Sequence, residues 1–77
     1  KLTIATPDQV LFENNVCKAA FQGTKGHFEV LKDHAPLVST LQKGTITYHD
    51  GTQSHTLTTE AGIIEVIDNQ ITVLLAE

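Results

Sequence analysis

Read from its N-terminus, the chain alternates apolar and polar residues in short bursts and then breaks off. KLTIAT, NVCKAAFQ, HFEVL, PLVSTL, GTITYH, SHTLTT, AGIIEVI and QITVLL all show the pattern, with Gly, Pro, Asn or Asp in the gaps. Period-two alternation in Thr-, Val- and Ile-rich runs predicts half-buried strands. Nowhere does an i, i+3, i+4, i+7 pattern persist through three turns, so no helix is expected. Many short strands joined by frequent turns predict an all-β protein, an antiparallel sandwich or small barrel.

One hairpin can be derived residue by residue. A two-residue turn at Asp68-Asn69 pairs Ile67 with Gln70, Val66 with Ile71, Glu65 with Thr72 and Ile64 with Val73. That register puts Ile64, Val66, Ile71 and Val73 on one face and Glu65 and Thr72 on the other. Asp and Asn tolerate the positive φ such turns need, and a one-residue slip would bury the polar set instead.

Composition narrows the function classes. Seventy-seven residues make a single domain, residues 1–77, burying only roughly 60–65% of the surface that the unfolded chain exposes. That leaves little room for a deep cavity and favours work done at the surface. The formal charge is −4, all five cations are lysine, and arginine and tryptophan are absent. Nucleic-acid binding, which leans on basic stripes and stacking aromatics, is not expected. Cys17 is the only cysteine, so neither an internal disulfide nor a thiolate zinc site can form. The alternation in NVCKAAFQ sets it beside Ala19 and Phe21, as a small buried hydrophobe. No apolar run reaches the ~18 residues of a membrane span, and Lys1 in place of Met reads as a trimmed start.

Four histidines raise the question of a metal site. His49 and His55 flank the turn DGTQS. With Ile46, Tyr48 and Leu57 marking the buried faces, the two rings point to opposite sides and cannot share an ion. No H-x-H, H-x-x-H or H-E-x-x-H spacing occurs. Ser39 and Ser54 lie in no nucleophile motif, and the carboxylates are scattered singly. A small metal-dependent β enzyme is therefore a minor alternative; no catalytic residue, metal or cofactor is expected.

The stretch GTKGHFEVLKDHAPLVSTLQKG, Gly23 to Gly44, resembles the pattern EGEIGVLPGHAPLLTALKPG of the epsilon subunit family of F-type ATP synthases (delta in mitochondria). LTIATPDQVLF resembles the family's opening strand and turn, and AGIIEVIDNQITVLLAE its closing hairpin. The resemblance covers nearly the whole chain. It implies a flattened antiparallel β-sandwich of about ten short strands in two sheets. It also implies a non-catalytic central-stalk subunit that binds the gamma subunit and the c ring, coupling proton- or sodium-driven rotation to ATP synthesis. Such a subunit sits on the cytoplasmic face of the bacterial plasma membrane, in contact with the membrane only through the complex.

Carried across by position, Thr24, Lys25, Gly26 and His27 would face the c ring, while Thr6, His34, Ala35, Pro36 and Ser39 would lie toward gamma. Pro36 would hold its loop in one shape. Gly44 and Gly62 match family glycines. Lys25 and His27 stand where the family often has acids, Glu29 replaces a common glycine, Lys32-Asp33 replaces Pro-Gly, and Gln22 stands where proline is usual. The charge match with the ring must then be arranged differently. The family commonly continues into a two-helix hairpin. The sequence stops at Glu77 before any such segment, so this polypeptide is not expected to inhibit ATP hydrolysis through one. The alternative reading is a free-standing β-sandwich module that takes a peptide or glycan along a sheet edge.

Overall fold

The computed structural model describes residues 1–76. Nine strands account for most of them: β1 Leu2–Ala5, β2 Val10–Asn14, β3 Lys18–Gly23, β4 Gly26–Leu31, β5 Leu37–Leu41, β6 Gly44–His49, β7 Ser54–Thr59, β8 Gly62–Ile67 and β9 Gln70–Leu75. Eight match the alternating runs to within a few residues at their ends. The ninth, β2, is an edge strand with only Phe12 half-buried. It has no buried face to impose a period, and its VLFEN sequence therefore carries no alternation.

Hydrogen bonding runs continuously in the order β2-β1-β9-β8-β5-β3-β6-β7, with β4 on the other edge of β3. Both β5 and β6 are antiparallel to β3. Leu37 to His49 is therefore one strand path, bent at Gln42-Lys43, along which the sheet folds over itself. The result is a sandwich with a five-stranded layer, β2-β1-β9-β8-β5, against a four-stranded layer, β7-β6-β3-β4. Against about ten expected strands there are nine, and the pairing of β1 with β9 is parallel while the other pairs are antiparallel.

The core lies between the layers. Leu2, Ile4, Ile64, Val66, Ile71 and Val73 from one layer meet Phe21, Ala19, Val30 and Ile46 from the other, all of them buried. Complete burial of each large aliphatic or aromatic side chain contributes ~1.5–3 kcal/mol. Phe12 of β2 packs on Tyr48 of β6, ring centroids 4.4 Å apart, which closes one side of the sandwich.

The β8–β9 hairpin has the derived register at every pair, from Ile67–Gln70 to Ile64–Val73. Asp68 and Asn69 adopt φ of 49° and 63°, the left-handed conformation that a two-residue turn between twisted strands requires. Asn69 has a second task. Its side-chain oxygen accepts from the Asp33 backbone N–H at 2.6 Å, and its amide donates to the Asp33 carboxylate at 3.1 Å. Those bonds tie the turn to the segment between β4 and β5. Asn69→Ala is expected to destabilise the domain by about 2 kcal/mol, from left-handed strain and the lost bonds. Asp68→Gly should be near neutral. Urea denaturation of both variants checks this, and equal effects would mean that the Asn69–Asp33 clasp contributes nothing.

Cys17 departs from its expected burial. It precedes β3 and is exposed, although its backbone N–H is held by the His49 carbonyl at 2.7 Å. It lies in the bend one residue before β3, where it lines an open cleft between the layers rather than the closed core.

Candidate functional site

The β3–β4 hairpin tip is built by its glycines. Gly23 pairs with Gly26 across the two-residue turn Thr24-Lys25, and Gly26 takes φ of 131°, a region that favours glycine. The tip is pinned to β5: the Thr24 and Thr40 hydroxyls are 2.7 Å apart, and the Thr24 N–H donates to the Thr40 carbonyl at 3.2 Å. Lys25 is left exposed at the apex, and His27 lies opposite Gln22 at the start of β4. The four residues expected at a ring-facing loop thus form one rigid projection.

Of the other expected set, His34, Ala35 and Pro36 form the approach to β5. The His34 ring donates from Nδ1 to the Ala35 carbonyl at 2.7 Å, and its backbone N–H donates to the Leu31 carbonyl at 3.2 Å. The ring therefore shapes its own loop whatever else it contacts. Ser39 is half-buried on the inward side of β5 and donates to the Thr40 carbonyl at 3.2 Å. A shallow groove brings Lys25, Gly26, His27, His34 and Ser39 together, so the two expected sets adjoin rather than occupy separate faces. Thr6 stands apart, in the β1–β2 turn, where its N–H donates to the Gln9 carbonyl at 2.9 Å.

A feature that the sequence reading passed over lies on the outer face of the five-stranded layer. Register carries one row from Val10 through Ala5, Leu74 and Ile63 to Thr40. Val10, Leu74 and Ile63 are 58%, 55% and 50% exposed, and Val38, two residues from Thr40 on the same face, is 70% exposed. Scattered exposed aliphatics are ordinary, but a contiguous row of them marks an interaction surface. The signal was present in the sequence as apolar residues at the outward positions of AGIIEVI and QITVLL. It becomes a surface only when β5, β8 and β9 lie side by side.

Titratable chemistry concentrates in the β6–β7 turn. Asp50 Oδ1 accepts from the Thr52 and Gln53 backbone N–H groups at 2.9 and 3.0 Å, while Oδ2 lies 2.8 Å from His55 Nε2. The Gln53 N–H, then His55 and the Thr52 N–H, hold the Asp50 carboxyl far below its ordinary value of 3.8. His55 also stacks on Tyr48, centroids 5.1 Å apart. As derived from parity, His49 lies on the other face, since Tyr48 pairs with His55 and His49 with Ser54. Among the described residues, no group of three or more His, Cys, Asp or Glu side chains is placed to hold a metal ion.

A depressed carboxyl stabilises the fold fully above its unfolded pKa, and that stabilisation is lost as pH falls toward the folded value. The Tm gap between the wild-type chain and Asp50→Ala should therefore be present at pH 5 and narrow below about pH 4. A gap unchanged down to pH 2 would remove Asp50 from the acid response.

A hairpin tip hydrogen-bonded to β5, a histidine–proline loop and an exposed aliphatic row thus lie on one β-sandwich. The sequence profile of the ATP synthase delta/epsilon chain β-sandwich domain matches residues 1–77, and the chain belongs to that family. It is 34% identical over 74 residues to the ATP synthase epsilon chain of Leptospira interrogans, covering 96% of this chain and 58% of that one. It is 36% identical over 73 residues to the epsilon chain of Nitratidesulfovibrio vulgaris, covering 95% and 54%. The chain thus spans little more than half the length of these relatives. The fold is shared with a chain of the Euglena gracilis mitochondrial ATP synthase, in a structure of OSCP, F1 and c-ring, at a TM-score of 0.89 and 20% identity, covering 99% of this chain and 49% of that one. A chain of the Tetrahymena thermophila central stalk and c-ring matches at 0.82 and 12%, covering 99% and 62%.

Proposed function

We propose that this domain is the non-catalytic rotor module of an F-type ATP synthase, joining the gamma subunit to the c ring so that ion-driven rotation is transmitted to ATP synthesis. The aliphatic row on the five-stranded layer carries this reading, because a stable interface needs a desolvated apolar centre. In it, Val38, Ile63 and Leu74 form the centre of the gamma contact, with His34, Ala35, Pro36 and Ser39 at one margin and Thr6 at another. The projection Thr24-Lys25-Gly26-His27 meets the polar face of the c ring. Family membership supports the reading, as do the solved relatives, which are described as F1, central-stalk and c-ring assemblies. The domain needs no cofactor and reaches the cytoplasmic face of the bacterial membrane only through the complex.

Calorimetry against the cognate gamma subunit tests it. One-to-one binding is expected, weakened about tenfold by His34→Ala, a loss of ~1.4 kcal/mol. No binding by a folded chain would overturn the proposal in favour of a free-standing module for a peptide or glycan.

A further inference from the structure

One acid stands among the exposed aliphatics on the outer face of the five-stranded layer. Beside the row that runs from Val10 to Thr40, register carries a second one, from Glu13 through Thr3, Thr72 and Glu65 to Val38. Along β8, Glu65 alternates with Ile63 and Ile67, which are 50% and 48% exposed. Across the sheet it is paired with Val38 of β5 and Thr72 of β9. It is exposed, and it makes no ion pair among the described residues. Lys1 is bonded to Glu13 at 2.9 Å, at the far end of the row. Glu13 lies three strand spacings from Glu65, about 14 Å. Lys18 belongs to β3 of the other layer, and Lys25, Lys32 and Lys43 lie in the connections between strands.

In water such a carboxylate is simply hydrated. Once a partner covers the face, it loses that hydration among Val38, Ile63 and Ile67. Burial is then strongly unfavourable unless an opposite charge with hydrogen bonds replaces the water. Resting on the rotor reading, we propose that Glu65 is the specificity-determining charge of the gamma contact. Its carboxylate pairs with one cationic side chain of gamma, seated among Val38, Ile63 and Ile67. A guanidinium fits best, since two N–H groups can meet both carboxylate oxygens and its weakly hydrated plane tolerates aliphatic neighbours. The aliphatics supply contact without direction. The single charge fixes the docking register and rejects a surface that brings no cation there.

Calorimetry against the cognate gamma subunit reads this. Glu65→Gln keeps the side chain's size and leaves no bond unmade in the isolated domain, so Tm should not change. Gamma binding should weaken at least tenfold. That loss should persist between about 0.05 and 0.5 M salt, because a desolvated pair is screened far less than an exposed one. Glu29→Gln, the same change of charge on β4 of the other layer, should stay within twofold. Among gamma variants with one lysine or arginine changed to alanine, one should weaken binding of the wild-type chain but not weaken Glu65→Gln any further. Unchanged affinity in Glu65→Gln, a loss that vanishes at high salt, or losses that add for every gamma variant would overturn the proposal. If Ile63→Asp still weakens binding in that case, the rotor reading stands without it. If the folded chain does not bind gamma at all, both are overturned.

Discussion

Gly62→Ala is expected to destabilise the domain by about 3 kcal/mol or more, because β9 occupies the space that a side chain would need. A Cβ at Gly62 would stand 2.2 Å from the Leu74 carbonyl oxygen, 3.0 Å from the Leu75 Cα and 3.1 Å from the Leu74 carbonyl carbon. All three are backbone atoms, so relief requires separating β8 from β9 rather than turning a rotamer. Gly62 is also paired with Leu41 of β5, and the strain would spread to both neighbours. Overpacking of this kind usually costs about 1–3 kcal/mol and sometimes more, against a total stability of ~4–12 kcal/mol for a chain of this length. At ~4–8 °C per kcal/mol for small domains, Tm should fall by ~12 °C or more. Gly44→Ala is the internal control. There the nearest atom is the Gln22 Cγ at 3.3 Å, the middle of a flexible, half-exposed side chain, so a change within about 1 kcal/mol is expected. Thermal unfolding by circular dichroism reads both. Similar Tm values for the two variants would show that the β8–β9 spacing does not depend on Gly62.

The second large effect is expected at the aliphatic row. Ile63→Asp and Leu74→Asp should each weaken gamma binding about 100-fold, ~2.8 kcal/mol, the range in which central interface residues fall. A carboxylate buried in an apolar contact without a partner cannot keep its hydration. In the isolated domain both positions are half-exposed, so the loss of stability should stay near the ~1 kcal/mol that strand propensity spans. Thr58→Asp, on an exposed position of β7 in the other layer, should leave binding unchanged. Full affinity in the Ile63 and Leu74 variants would move the gamma contact off this face. Equal losses in all three would point to net charge rather than to a local interface.

These two sites differ in how far they were legible beforehand. Gly62 was singled out by position, but its reason is that the Leu74 carbonyl, twelve residues further on, occupies the place that a Cβ would take. Ile63 and Leu74 were placed on strands correctly and then left without a role. A local pattern identifies the face that a residue takes, not whether neighbouring strands continue its row. Cys17 shows the same limit from the other side: parity placed it on the inner face, but it lines an open cleft and stays exposed.

What the amino-acid order determined unaided was everything that repeats over two residues or one turn. The all-β class, eight of nine strands, the full register of β8–β9 and the opposed faces of His49 and His55 follow from alternation and turn chemistry, because side-chain period and turn conformation are local. The order of strands across the layers, the parallel β1–β9 pair, the fold of the sheet at Gln42-Lys43, the pinning of Thr24 to Thr40 and the exposed aliphatic row follow only from the assembled fold. Each joins residues distant in sequence, and they meet because two apolar faces can leave water only against each other.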